Sequence, residues 1–240
     1  MQSKSTPPKN KTSRRQEHNA DEIADKISTA ILEHRLVPGT KLGEDRLASI
    51  FGTSRPRIRE VLARLANEQV VELIPQRGAF VAKPTIGQAQ DVFEARQLIE
   101  PGILQRLIAT LDSGKLQRLQ AHLAQETQAR ERQDARAMVR LSGEFHVLLA
   151  ELAGNTALTK AMRELSTLTC LIISLYSAST ATSCRSDEHS EIVAAIARKD
   201  SVRATTLMRH HLEDILGSLH LEQSSEDVDL ESIFLTEIAR

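Results

Sequence analysis

The sequence predicts a mainly α protein, with an N-terminal winged helix-turn-helix followed by an antiparallel all-α bundle. Three observations carry this. Apolar residues keep a helical period from Ile86 onward for well over a hundred residues. There is no Trp, one Tyr and five Phe, so Leu, Ile, Val and Ala must fill the core, which suits helix-on-helix packing. Six of the seven prolines fall within residues 1–84, ahead of the periodic stretch, where shorter elements and turns alternate.

Residues 1–18 hold Ser, Thr, Pro, Lys and Gln and almost nothing apolar, the composition of a disordered basic arm. Asn19 is placed to cap a first helix, with Asp21 and Glu22 in its opening turn. Ile23, Ile27 and Ile31 recur at steps of four and define its buried face. Pro38-Gly39 marks a tight turn. A short second helix spans Glu44 to Phe51, with Leu47 and Ile50 as its core side, and Gly52 ends it. Ser54 caps a third helix, where Pro56 costs no intrahelical bond and Ile58, Val61, Leu62 and Leu65 face inward. Val70-Val71, Leu73-Ile74 and Phe80-Val81 flank Pro75-Gln76-Arg77-Gly78, the pattern of a two-stranded hairpin with a glycine-bearing turn.

Beyond Pro84 the expected helices are Ile86–Thr110, Gly114–Arg132, Ala135–Ala153, Thr156–Ser179, Ser186–Lys199 and Ser201–Glu222. Their short connections imply antiparallel neighbours. Pro101-Gly102 is expected to kink or break the first of them. The organisation read from this pattern is an arm at 1–18, a winged helix-turn-helix at 19–84, an effector-binding and dimerisation bundle at 85–222, and a tail at 223–240 with no assignment.

No apolar run approaches a membrane span, and no secretory signal opens the chain. Two cysteines, Cys170 and Cys184, exclude a disulfide scaffold and fit a reducing cytoplasm. The net charge of −1 conceals an asymmetry, because residues 1–84 carry fifteen Lys and Arg against ten Asp and Glu. A basic front and an acidic back are the pattern of a nucleic-acid-binding module joined to something else.

Arg55, Arg57 and Arg59 open the third helix with no acid before Glu60. Arginines on the exposed face of a recognition helix suit guanine edges in a major groove, and a serine at the helix start suits a phosphate oxygen. Arg77-Gly78 at the hairpin tip suits a minor groove. The stretch LVPGTKLGEDRLASIFGTSRPRIREVLARL, Leu36 to Leu65, resembles the DNA-binding domain of GntR-type regulators, and PQRGAFV, Pro75 to Val81, resembles that family's wing. The resemblance implies base contacts from Arg55 and Arg59, a phosphate contact from Ser54 and minor-groove entry by the wing. It also implies a phosphate contact from a basic residue of the second helix. Asp45 occupies that position here, and Arg46 beside it takes the role.

Three of the eight histidines fall on apolar faces of the expected bundle. His146 has Leu149, Ala150 and Ala153 one and two turns on; His189 has Ile192, Val193 and Ile196; His211 lies between Met208 and Ile215. His210 falls on the solvent side. Such histidines are either satisfied core residues or imidazoles converging on a metal. FHVLLAELAGN (Phe145 to Asn155), EHSEIVAAIARKD (Glu188 to Asp200) and His211-Leu212 resemble the FCD effector domain, the FadR branch of the GntR family. The resemblance implies a divalent metal, zinc or nickel, held by His146, His189 and His211. The Asp usual one turn before the first histidine is Ser142 here, so an anionic ligand is missing. It also implies that Arg96, in an R-x-x-x-E context with Glu100, faces an effector pocket, where a guanidinium would clamp a carboxylate. A surface Arg96–Glu100 pair is the alternative.

The function expected from the sequence is a cytoplasmic, homodimeric, ligand-responsive regulator, a repressor, that binds a palindromic double-stranded operator. It would sense a small carboxylate metabolite beside the metal. Two alternatives remain: a regulator whose signal is the metal itself, and a helical metallohydrolase, although the chain has no H-E-x-x-H.

Overall fold

The computed structural model describes residues 19–177 and 188–221. The expected arm at 1–18, the tail at 223–240 and Cys184 lie outside the described residues. The chain begins with α1 (Ala20–Leu32), β1 (Lys41–Leu42), α2 (Glu44–Phe51), α3 (Arg55–Asn67), β2 (Val71–Ile74) and β3 (Gly78–Val81). The bundle follows as α4 (Ile86–Ala109), α5 (Ser113–Glu131), α6 (Ala135–Ala153), α7 (Thr156–Tyr176), α8 (Glu188–Ala197) and α9 (Ser201–Gly217).

Local chemistry sets the boundaries of the front part. The Asn19 backbone N–H donates to the Glu22 carboxylate at 3.3 Å, half of a capping box that starts α1. The Ser54 hydroxyl accepts from the Arg57 N–H, which fixes the first turn of α3. Gly52 adopts φ +63° and ends α2 in the left-handed conformation a side chain would resist. Ile58, Val61, Leu62 and Leu65 are all buried and pack α3 on α1. Two expectations change. The wing belongs to a three-stranded antiparallel sheet of order β1-β3-β2, since Lys41 and Leu42 pair with Phe80 and Ala79. The two-residue strand was too short to leave a period in the sequence. Ile50 is 64% exposed rather than core-facing, because α2 buries little against α3 and its inner side is carried by Leu47, Ala48 and Phe51.

In the bundle, α4 packs on α6, α7 and α9, and α5 on α6 and α8. α4 runs unbroken through the buried Pro101, so the expected break does not occur. Proline removes one backbone donor, and packing on three neighbouring helices holds the turn. α8 and α9 are described as Glu188–Ala197 and Ser201–Gly217, shorter than their sequence patterns. The Tyr176 hydroxyl donates to the Pro84 carbonyl at 2.8 Å, tying the end of α7 to the segment that joins wing and bundle. On the other side, α1 rests on α6 and α7.

Candidate metal centre and DNA-reading face

His146 on α6, His189 on α8 and His211 on α9 are all buried and converge, each offering a ligand nitrogen within 4.8 Å of the others. Their orientation comes from carboxylates behind them. The Nδ1 of His146 donates to Glu100 at 2.7 Å, that of His189 to Glu126 at 2.9 Å and that of His211 to Glu188 at 2.6 Å. Burial by itself would raise the Glu100 carboxyl, but the charges of Arg96 and then His146 outweigh it and hold it at about 2. Burial likewise opposes ionisation of Glu126, and hydrogen bonds from His122 and His189 bring it to about 2. Both carboxylates are therefore acceptors near neutral pH, which makes each facing Nδ1 the protonated nitrogen.

Nε2 is then the nitrogen left to ligate. The Nε2 atoms of His146 and His211 stand 3.3 Å apart. Burial pushes His146 down to about 3, so its Nε2 offers a lone pair near neutral pH. Facing Nε2 atoms at that distance are joined by a proton or by a metal cation. Two nitrogens bound to one tetrahedral ion at about 2.0–2.1 Å stand roughly 3.3–3.4 Å apart. The residues therefore fit a divalent metal of the zinc or nickel type. Among the described residues the cluster holds no carboxylate ligand, in keeping with serine at position 142.

Arg96 and Glu100 are each 2% exposed, so the expected i,i+4 pair exists but is buried rather than superficial. Arg96 Nε donates to Glu100 at 2.7 Å and Nη1 to the Thr169 hydroxyl at 3.1 Å. Its Nη2 is buried with no hydrogen-bond partner. Arg96, Glu100 and His146 thus form one continuous chain. Phe145 stacks on His189 with centroids 4.0 Å apart and closes one side of the cluster. His210 is exposed, as expected. Sequence reading missed Glu126, which lies 63 residues from His189. It assigned Glu188 no role. Its only available signal was position, since Glu126 sits one turn after the buried His122 on α5 and lies 3.4 Å from that ring.

On the opposite end of the chain, Arg55, Arg57 and Arg59 are all exposed on α3. Arg55 bonds Asp45 at 3.1 Å, Arg59 bonds Glu44 at 2.7 Å, and Glu44 also lies 3.7 Å from Arg55. Arg57 pairs weakly with Glu60 at 3.4 Å. Arg46 is exposed on α2. Arg77 sits in the wing turn with its guanidinium 5.5 Å from the Phe80 ring centroid, and Gly78 takes φ +98°. Lys41, which sequence reading missed, lies over the same ring at 5.9 Å. Its strand was not foreseen, so nothing placed it beside the wing.

A helix-turn-helix with three exposed arginines and a wing, joined to a helical bundle that buries three converging histidines, is the architecture of a DNA-binding regulator. Residues 19–81 match the bacterial regulatory proteins of the gntR family, and residues 91–214 match the FCD domain. The chain belongs to the GntR family, in its FadR-like branch with an FCD effector domain, and is a transcription regulator rather than an enzyme. The metallohydrolase alternative is thereby set aside. It is 25% identical over 194 residues to the HTH-type transcriptional repressor RspR of Escherichia coli K12, covering 80% of this chain and 85% of that one. It is 29% identical over 205 residues to an HTH-type regulator of Streptomyces ambofaciens, covering 84% and 85%. A GntR regulator from Rhodococcus sp. RHA1 shares the fold at a TM-score of 0.72 and 24% identity, over 83% of this chain and 98% of that one. E. coli McbR/YncC shares it at 0.73 and 17%, over 82% and 95%.

Proposed function

We propose that this chain is a homodimeric, cytoplasmic repressor whose bundle senses a small carboxylate metabolite beside a zinc or nickel ion. The carrying observation is the Arg96 Nη2, buried and unpartnered at the end of the chain that runs through Glu100 to His146. Leaving part of a guanidinium buried without a partner is costly, and a ligand carboxylate would satisfy it. His146, His189 and His211 would hold the ion, which supplies Lewis-acid attraction for a ligand oxygen. With Ser142 in place of an anionic ligand, the effector's own carboxylate completes the charge. Glu100, Glu126 and Glu188 hold the three rings in their ligating orientation.

Residues 19–84 form the DNA reader and 85–222 the sensing and dimerisation part. Arg55 and Arg59 read bases, with Arg57, Ser54 and Arg46 on phosphates and Arg77-Gly78 in the minor groove. A palindromic operator needs two readers, which a homodimer supplies. No helix of the described residues is long and apolar enough to cross a membrane. The effector acts by binding the two geometries of the dimer unequally.

The test is thermal unfolding of zinc-loaded protein with acetate, succinate, citrate and gluconate, together with titration of operator DNA selected from genomic fragments. At least one carboxylate is expected to raise the melting temperature and weaken operator binding, and Arg96→Gln to abolish both responses. Carboxylate responses that survive Arg96→Gln unchanged contradict the reading.

A further inference from the structure

A cavity of about 910 Å³ lies between the DNA reader and the bundle, walled by α1 and the end of α3 on one side and by α6 and α7 on the other. None of the three histidine rings of the cluster lines it, and its wall meets their surroundings only at His122 of α5, 3.4 Å from Glu126. We propose that this cleft is a second small-molecule site, taking an organic cation with an apolar body.

The charge balance selects the cation. The lining carries five carboxylates against three Lys and Arg side chains. Arg64 is committed to Asp21 and Glu68, and Arg163 to Glu151. Glu144 is held by Arg140. Asp25 on α1 and Glu164 on α7 are left without an ion pair or side-chain hydrogen bond among the described residues, Lys160 acting on Glu164 only through its charge. Burial and then the charge of Glu68 across the cleft push the Glu164 carboxyl upward, an unfavourable state that a bound cation relieves.

A second, independent observation lies at the cavity wall. Ser166 on α7 is 3% exposed, and its Oγ has no hydrogen-bond partner. Its neighbours Thr167 and Thr169 satisfy their hydroxyls by donating to the carbonyls one turn back. Ser166 does not, although the same bond is open to it in a helix. A buried hydroxyl on a cavity wall without a partner is available to a ligand N–H. Leu32, Val147 and Leu148 give the same cavity apolar walls, which suits a hydrocarbon or aromatic body. Because α1 and α3 belong to the reader and α6 and α7 to the bundle, an occupant is thermodynamically linked to the placement of one on the other.

The probes are tryptamine and tryptophol, which share an indole body and differ in carrying an ammonium or a neutral hydroxyl. Each is titrated calorimetrically into the zinc-loaded full chain. Tryptamine is expected to bind at least tenfold more tightly than tryptophol. Glu164→Gln and, on the exposed face of α1, Asp25→Asn should each weaken tryptamine at least fivefold while leaving tryptophol unchanged. Lys160→Ala, which removes a competing cation, should strengthen it. Tryptamine affinity should be the same in zinc-loaded and metal-stripped protein, which separates this site from the metal centre. Equal binding of the two probes, binding of neither, or tryptamine affinity unmoved by both carboxylate variants overturns the proposal.

Discussion

His146 and His211 present their Nε2 atoms to each other at 3.3 Å while Glu100 and Glu188 hold the far sides of the two rings. The spacing is that of two ligands of one tetrahedral ion. Ser142 lies one turn before His146 on the same face of α6. Ser142→Asp is expected to tighten divalent-metal binding and raise the metal-dependent melting temperature, because binding to the folded state alone adds stability. A variant destabilised equally with zinc and with chelator would mean that the new carboxylate is buried unpaired and the rings are core residues.

Glu126 touches no ligand atom of the cluster but orients His189 and accepts from it at 2.9 Å. Glu126→Gln keeps the shape and removes the charge that fixes the tautomer. Zinc affinity is expected to fall by about 10–100-fold, the usual cost of losing a carboxylate behind a ligating histidine. Competition with a chromophoric chelator measures it, and unchanged affinity would place His189 outside the metal site.

Glu44 holds Arg59 and approaches Arg55 on the reading face. DNA that contacts these guanidiniums must displace it. Glu44→Gln is therefore expected to tighten non-specific binding at low salt, while Arg55→Ala and Arg59→Ala each cost about 1–3 kcal/mol on the operator and relax base preference. Fluorescence anisotropy across a salt series reads all three. Arginine variants that bind the operator like wild type contradict the assignment of α3.

His34, in the turn after α1, has φ +52° and a buried Nε2 without a partner. Burial lowers its pKa below 6.5, only partly offset by a hydrogen bond with the Cys170 backbone. The folded state thus takes up a proton less readily than the unfolded chain. The stability this represents is complete above the unfolded value and is lost as pH falls below it toward the folded one. Asparagine tolerates the same left-handed backbone. His34→Asn should lose less stability than wild type between about pH 7 and about pH 5. Denaturant unfolding across that range decides it, and identical slopes refute it.

The sequence made the helices legible because their apolar periods are long, and α6 begins and ends where the period does. The three histidines were legible because each breaks an apolar stripe on its own helix. Their partners were not. Glu100 was visible only as a neighbour of Arg96, and whether that pair is buried depends on helices brought together from α6 and α7. Glu126 has no local signature, since its contact with His189 is made by packing α5 on α8. β1 and the exposure of Ile50 escaped for the same reason, being decided by contacts over a few residues rather than by a repeating pattern.

We propose that His146, His189 and His211 hold one divalent ion. Zinc titrated calorimetrically into metal-stripped wild type, His211→Ala and the exposed His210→Ala tests it most directly. One site per chain is predicted in wild type and His210→Ala, with that site lost in His211→Ala. Equal zinc binding by the two variants would contradict the claim.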